Sequence, residues 1–378
     1  MNAQNGNFSD NHRKFKALYE RELKDAGIVG AGFVFLKDNK ILAQEFYGSA
    51  NLEKKQPIDE NTIYHWASNT KPFTGIAIMQ LRDRGLLKLD DPAVKYLPEL
   101  KAVHNPFGGI EEITIRHLLN HSAGFRNSTF PYKKGKNWEP FEPQKYSQIE
   151  AMLPFTEILF KPGSRFSYSN LGIVFLGQII ERLTGDDYEV YVDKNILKPL
   201  EMYRSYFDTT PYHLLKHRSH SYYIENGRRT EGRFDADSGI TVSNSGLNSP
   251  LLDMVKYLNF LIGDESKKEI YEGILKRSSL EEMFQPTLPA PLDANGNAGF
   301  TTDIGLIYFL DRQANGEVYL GHGGDQNGFI SYIEFNPKKR TASVMVFNTN
   351  VISTENTPPE KDIYGKLRKA VRTLHESF

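Results

Sequence analysis

Residues 74–81, Thr-Gly-Ile-Ala-Ile-Met-Gln-Leu, are apolar around nearly the whole circumference that a helix would present. Such a helix cannot lie on a surface. It predicts a central helix packed on all sides, so the rest of the chain must supply layers around it. Pro72 lacks an N–H and fits only a first helical turn, which places the start close to Ser68 and the end near Gly85. Ser68 and Lys71 are then one turn apart, about 5–6 Å between Cβ atoms. Desolvation disfavours the charged form of a lysine in apolar surroundings. A neutral amine beside a serine at a helix N-terminus can take the hydroxyl proton and make a nucleophile. The same spacing also suits a capping serine followed by a surface lysine.

The chain of 378 residues is long enough for one large or two interlocked domains. A formal net charge of −1 gives no reason to expect a nucleic acid or an anionic membrane as partner. With no cysteine, disulfides, thiolate metal sites and a thiol nucleophile are excluded. The first residues are polar and contain no apolar signal core, and no run approaches the roughly 20 residues that span a bilayer. The compartment, cytoplasmic or exported, stays open.

Taken in order, His12 to Ala26 carries one apolar stripe and predicts an amphipathic helix ended by Gly27. Ile28–Leu36 and Ile41–Tyr47 read as a hairpin, with Asp38-Asn39 tolerating the positive φ of its turn. From about 90 to 300, helical periodicity alternates with long polar connections. These include Thr114–Asn120 running into His121-Ser122-Ala123-Gly124, the apolar helix Leu171–Leu183 closed by Gly185, and a helix from Ser249-Pro250 to about Ile262 with Ser249 as N-cap. Between Asn127 and Gln148 lies a long aromatic loop with Phe130, Tyr132, Trp138, Phe141 and Tyr146, placed to wall a pocket and set specificity. Four strand-like runs, Ile304–Asp311, Glu317–His322, Phe329–Phe335 and Thr341–Thr349, then form a meander, followed by an amphipathic helix over 360–376. The expected fold is α/β (α+β): one antiparallel sheet from 1–89 and 300–378 flanked by the terminal helices, with a mainly helical domain, 90–299, inserted and the active site at their interface.

Two further segments carry chemistry. In Phe166-Ser167-Tyr168-Ser169-Asn170, extended backbone turns Tyr168 and Asn170 the same way, a phenol for proton relay and an amide for substrate or lysine. The segment serves equally as the start of the next helix, with Asn170 as N-cap. In Gly321-His322-Gly323-Gly324-Asp325, at a strand end, glycines let a ligand or another backbone come close, and a main-chain N–H there can join that of Ser68 in an oxyanion hole. A bulge or turn between two strands explains the glycines as well.

Taken together, Ser68-x-x-Lys71, Tyr168-x-Asn170 and His322-Gly323-Gly324 resemble the active-site serine hydrolases related to class C β-lactamases and penicillin-binding proteins. Leu118–Gly124 and Ser238–Leu258 extend the resemblance over roughly Ile28 to Thr349. It implies a β-lactamase/transpeptidase-like fold, Ser68 as acylated nucleophile, Lys71 as its base and Tyr168 as the proton-exchanging partner. By the same resemblance Asn170 orients Lys71 and the substrate, His322 and Gly324 line the substrate site, and the N–H groups of Ser68 and Asp325 form the oxyanion hole. No cofactor and no metal are implied. His322 stands where many relatives carry lysine, and a mostly neutral imidazole attracts a substrate carboxylate less. That tilts the expectation towards a carboxylesterase-like enzyme acting on small esters or amides, ahead of a D-alanyl-D-alanine carboxypeptidase or D-aminopeptidase, or a weak β-lactamase; a non-catalytic binding relative is the other class. The oligomeric state is not legible.

Gly-x-Ser-x-Gly, His-Glu-x-x-His and a P-loop are absent, and Gly30-Ala31-Gly32 lacks the third glycine of a dinucleotide site. His213, His217 and His220 have the spacing of zinc ligands on a helix, but their neighbours read as a loop entering a strand.

Overall fold

The computed structural model describes residues 2–129, 143–235, 237–290, 301–352 and 362–378. Helix α1 (Asn2–Asp25) leads into β1 (Gly30–Lys37), β2 (Lys40–Asn51), β3 (Gln56–Pro57) and β4 (Ile63–His65). A 3₁₀ turn, Ala67–Thr70, precedes α2 (Lys71–Asp83). The middle of the chain supplies α3 (Ile115–Leu119), α4 (Asn170–Thr184), β5 (Tyr206–Phe207), β6 (Tyr222–Glu225), β7 (Arg228–Glu231), α5 (Val242–Ser245), β8 (Leu247–Pro250) and α6 (Leu251–Ile262), among other short helices and turns. Then follow β9 (Leu288–Pro289), β10 (Asp303–Ile304), β11 (Phe309–Arg312), β12 (Val318–Gln326), β13 (Phe329–Asn336), β14 (Thr341–Phe347), β15 (Thr349–Val351) and α7 (Ile363–His375).

Nine strands make one antiparallel sheet in the order β3-β2-β1-β14-β13-β12-β11-β10-β9. The period-2 geometry of β1 decides how it is covered. Phe33 and Phe35 face the terminal helices, where Phe15, Tyr19 and Leu23 of α1 and Leu367, Val371 and Leu374 of α7 meet them. Val34 and Leu36 face the other way, into the core that holds α2 and α6. β14 repeats the division, with Met345 and Phe347 outward and Val344 and Val346 inward. The molecule is therefore layered: terminal helices, sheet, and a larger body built around α2. Every residue of α2 from Lys71 to Leu81 is buried, as its all-round apolar sequence demands.

The hairpin turn follows the sequence reading, with Asp38 at φ 50° and Asn39 at φ 65°. Other details differ. The run Ile304–Asp311 is broken into β10 and β11, and Ile307 at φ 73° makes the bend. Ser249 does not cap α6; it lies in β8, between β4 and β5, and its hydroxyl meets Ser205. The chain between 90 and 300 also contributes strands, including the sheet's edge strand β9, because those short segments find partners distant in sequence. Of the aromatic loop, Phe130, Tyr132, Trp138 and Phe141 lie outside the described residues, and Tyr146 donates its hydroxyl to Glu99 at 2.6 Å. Among the described residues, no helix is long and apolar enough to cross a membrane.

Candidate active site

The turn bearing Ser68 is held from several directions. Ala67, immediately before it, sits at φ 49°, a conformation that costs a non-glycine residue about 1–3 kcal/mol and persists only where its surroundings impose it. Here they do. Trp66 N–H donates to Leu247 O at 2.8 Å, its indole N–H to Ser249 O at 2.8 Å, and Leu247 N–H to the Thr70 hydroxyl at 3.0 Å. Asn69 Nδ2 donates to Ser331 Oγ of β13 at 2.8 Å. Strand β12 presses directly on the turn, since a Cβ at Gly324 would lie 2.2 Å from Trp66 O. Paired with β13, the strand continues through the glycines to Gln326 and turns only at Asn327-Gly328, with φ 51° and 78°. His322 is thus inside a strand rather than at its end.

Lys71 is fully buried, with Nζ 2.8 Å from Ser68 Oγ and 2.9 Å from Asn244 O of α5. Desolvation holds its pKa well below the ordinary lysine value. The Tyr168 ring lies 5.0 Å from Nζ, a placement that favours an ammonium. Such a contact supplies roughly 0.5–2 kcal/mol, whereas full burial moves a lysine by up to about 3–5 pKa units, so desolvation wins. Nζ donates to both Ser68 Oγ and Asn244 O. Ser68 itself is partly exposed and borders a cavity of about 400 Å³ shared with Tyr168, Asn170, Phe309 and His322.

Tyr168 shares a hydrogen bond with Ser68, and burial pushes its phenol above the ordinary tyrosine value. His322 is 5% exposed; its Nδ1 lies 2.7 Å from Gly323 O and must carry the proton. Burial, then the nearby Lys71, bring its pKa down to about 3, so no cation stands at this point of the wall near neutrality. The Asp325 carboxyl accepts from Asn350 Nδ2 at 2.8 Å and is raised to about 6 by desolvation.

Asn170 lines the same cavity as Ser68. Its amide donates to Asn127 Oδ1 at 3.1 Å, while Lys71 bonds to Ser68 and Asn244. It is not a cap: Ser169 Oγ accepts from Gly172 N–H at 3.0 Å, and Asn170 is the first residue of α4. Two contributors escaped the sequence reading. Asn244 acts through its main-chain oxygen, which no residue type announces. His121 stacks on Tyr168 at 4.4 Å, a contact set by tertiary packing alone. The three spaced histidines do not form a metal set; His220 pairs with Glu231, and no such set occurs among the described residues.

The family model described as Beta-lactamase matches residues 15–361. Protein flp of Staphylococcus aureus (strain MW2) is 28% identical over 343 residues, 90% of this chain. The chain spans 64% of that relative's length. Esterase EstB of Burkholderia gladioli is 30% identical over 199 residues, half of each chain. Among solved structures, the octameric penicillin-binding protein homologue from Pyrococcus abyssi superposes with a TM-score of 0.77 at 28% identity, covering 97% of this chain and 78% of the other.

Proposed function

The chain belongs to the beta-lactamase family, and from that premise and the geometry of the site we propose that it is a serine hydrolase working through an acyl-enzyme on Ser68. The observation that carries the reading is Lys71: a fully buried amine 2.8 Å from Ser68 Oγ with an accepting carbonyl as its other bonded partner. Lys71 takes the Ser68 proton as Oγ attacks the substrate carbonyl, and the negative charge on that oxygen is held by the main-chain N–H groups of Ser68 and Asp325. Tyr168 gives its proton to the departing alcohol or amine and recovers one from the Lys71 ammonium. Water then attacks the ester on Ser68, the same groups removing its proton, and Oγ leaves with a proton returned to it.

Small carboxylic esters are the favoured substrates, ahead of D-amino-acid amides and peptides, because His322 is neutral where an electrostatic clamp for a carboxylate would sit. The likeness to an esterase over half of each chain is in keeping with this. A fluorophosphonate probe should label the wild type and leave Ser68→Ala unlabelled; no labelling of either would favour a binding protein. In a panel of short-chain p-nitrophenyl esters, D-amino-acid amides, D-Ala-D-Ala peptides and a chromogenic cephalosporin, the esters should turn over fastest. A cephalosporin rate above the ester rate reverses the substrate order.

A further inference from the structure

We propose that His121 is the positioning residue for Tyr168, fixing the direction from which its phenol meets Ser68. The inference rests on the reading of Tyr168 as the proton relay. Residues 165–169 belong to no helix or strand, so no ladder of backbone bonds orients the tyrosine. His121 supplies bonds on both sides of it instead. The carbonyl of His121 accepts from Ser167 N–H at 2.8 Å, and its Nδ1 accepts from Ser169 N–H at 3.1 Å. The residues on both sides of Tyr168 are thereby tied to His121. Its imidazole then stacks on the phenol ring, centroids 4.4 Å apart at 28°.

His121 is well fixed itself. It is 1% exposed, sits at φ 56° in the turn after α3, and meets Phe166 edge-on at 6.0 Å. Because Nδ1 accepts, the ring proton resides on Nε2 and the imidazole is neutral. Burial and the neighbouring Lys71 and His322 disfavour a second proton. Three properties are needed at once: a flat ring for the phenol, an acceptor for a buried N–H, and tolerance of positive φ. Asparagine keeps the acceptor and the backbone tolerance but has no ring. Phenylalanine keeps a ring and leaves the Ser169 N–H unpaired.

The test uses His121→Asn, His121→Phe and Tyr168→Phe in the full chain. Competent sites are counted by fluorophosphonate titration, and kcat and KM for a p-nitrophenyl ester are expressed per titrated site beside the melting temperature. H121N should melt within a few degrees of the wild type, with kcat per site lowered about 10- to 100-fold and KM changed less than about threefold, as expected when a reacting group is misplaced. H121F should fall similarly. A per-site kcat within about twofold of wild type in folded H121N, with any lost activity accounted for by fewer titratable sites, overturns the proposal in favour of a purely structural histidine. Should H121N not fold, His121→Gln is judged by the same criterion. Wild-type turnover in Tyr168→Phe removes the premise instead, a separate result.

Discussion

At the scale of single residues, the site works by setting two proton affinities in opposite directions. Burial lowers that of Lys71 and raises that of Tyr168, the directions that the proposed base and acid require. Lys71→Ala and Tyr168→Phe should each reduce turnover by a factor of about 10² or more while keeping a wild-type melting profile; full activity in Lys71→Ala would sink the base assignment. Residue types were the most legible part of the sequence. Ser68, Lys71, Tyr168, His322 and Gly324 border one cavity or touch one another in the fold, although they are scattered from 68 to 324. What a residue type cannot announce is a role played by its backbone or its packing. Asn244 contributes a carbonyl, His121 a ring face, and Asn170 bonds to Asn127 because the neighbouring chain, not its own amide, sets its partner.

At the scale of elements, β12 does the work of bringing the nucleophile and the cavity wall together. Its pairing with β11 ends at Gly321, while β13 accompanies it to Gln326, so among the described residues one edge of 322–326 carries no strand partner. That edge overlies the Ser68 turn at the distance that Gly324 alone permits. Gly324→Ala should push β12 off the turn, costing about 1–3 kcal/mol as overpacking does and lowering ester turnover more than probe-independent stability measures such as urea midpoints account for. Turnover and midpoint both at wild-type values would show that the contact is slack. Helices and the first hairpin were readable because their signals are local: the apolar circumference of α2, the stripe of α1, the Asp38-Asn39 turn. The extent of β12 was not, since glycines read locally as a break, whereas Gly321 is pressed by Ile333 O of the next strand and Gly324 by the Trp66 carbonyl, over 250 residues earlier.

Over the whole molecule, buried histidines govern the response to acid. His65 and His375 are held at about 4 and His322 at about 3, chiefly by burial, and His121 is also lowered. Unfolded histidines titrate near 6.5, so between about pH 6 and 4 the unfolded chain binds protons that the folded one refuses, and stability falls with pH. Asp208 and Asp325, raised to about 7 and about 6, act in the opposite sense over that window. Glu181 and Glu189, also raised by burial, join them, but the buried histidines and carboxylates held low by their partners, such as Asp91 and Glu334, set the direction, and stability falls as the solution is acidified. Urea unfolding at pH 7, 6 and 5 checks this; a flat midpoint across the three would contradict it.

The pairing of β1 with β14 also dictates a timetable. Val34 faces Val344, and β1 occupies the interior of the sheet with β2 on its other side. At about 5–20 residues per second, a ribosome delivers β14 roughly 15–60 s after β1. Throughout that interval the first hairpin offers an unpaired, strongly apolar edge that invites pairing with another nascent chain. Ribosome-stalled chains ending before Thr341 should accordingly be protease-sensitive and inactive, and chains long enough to expose β14 should become resistant together with the appearance of activity.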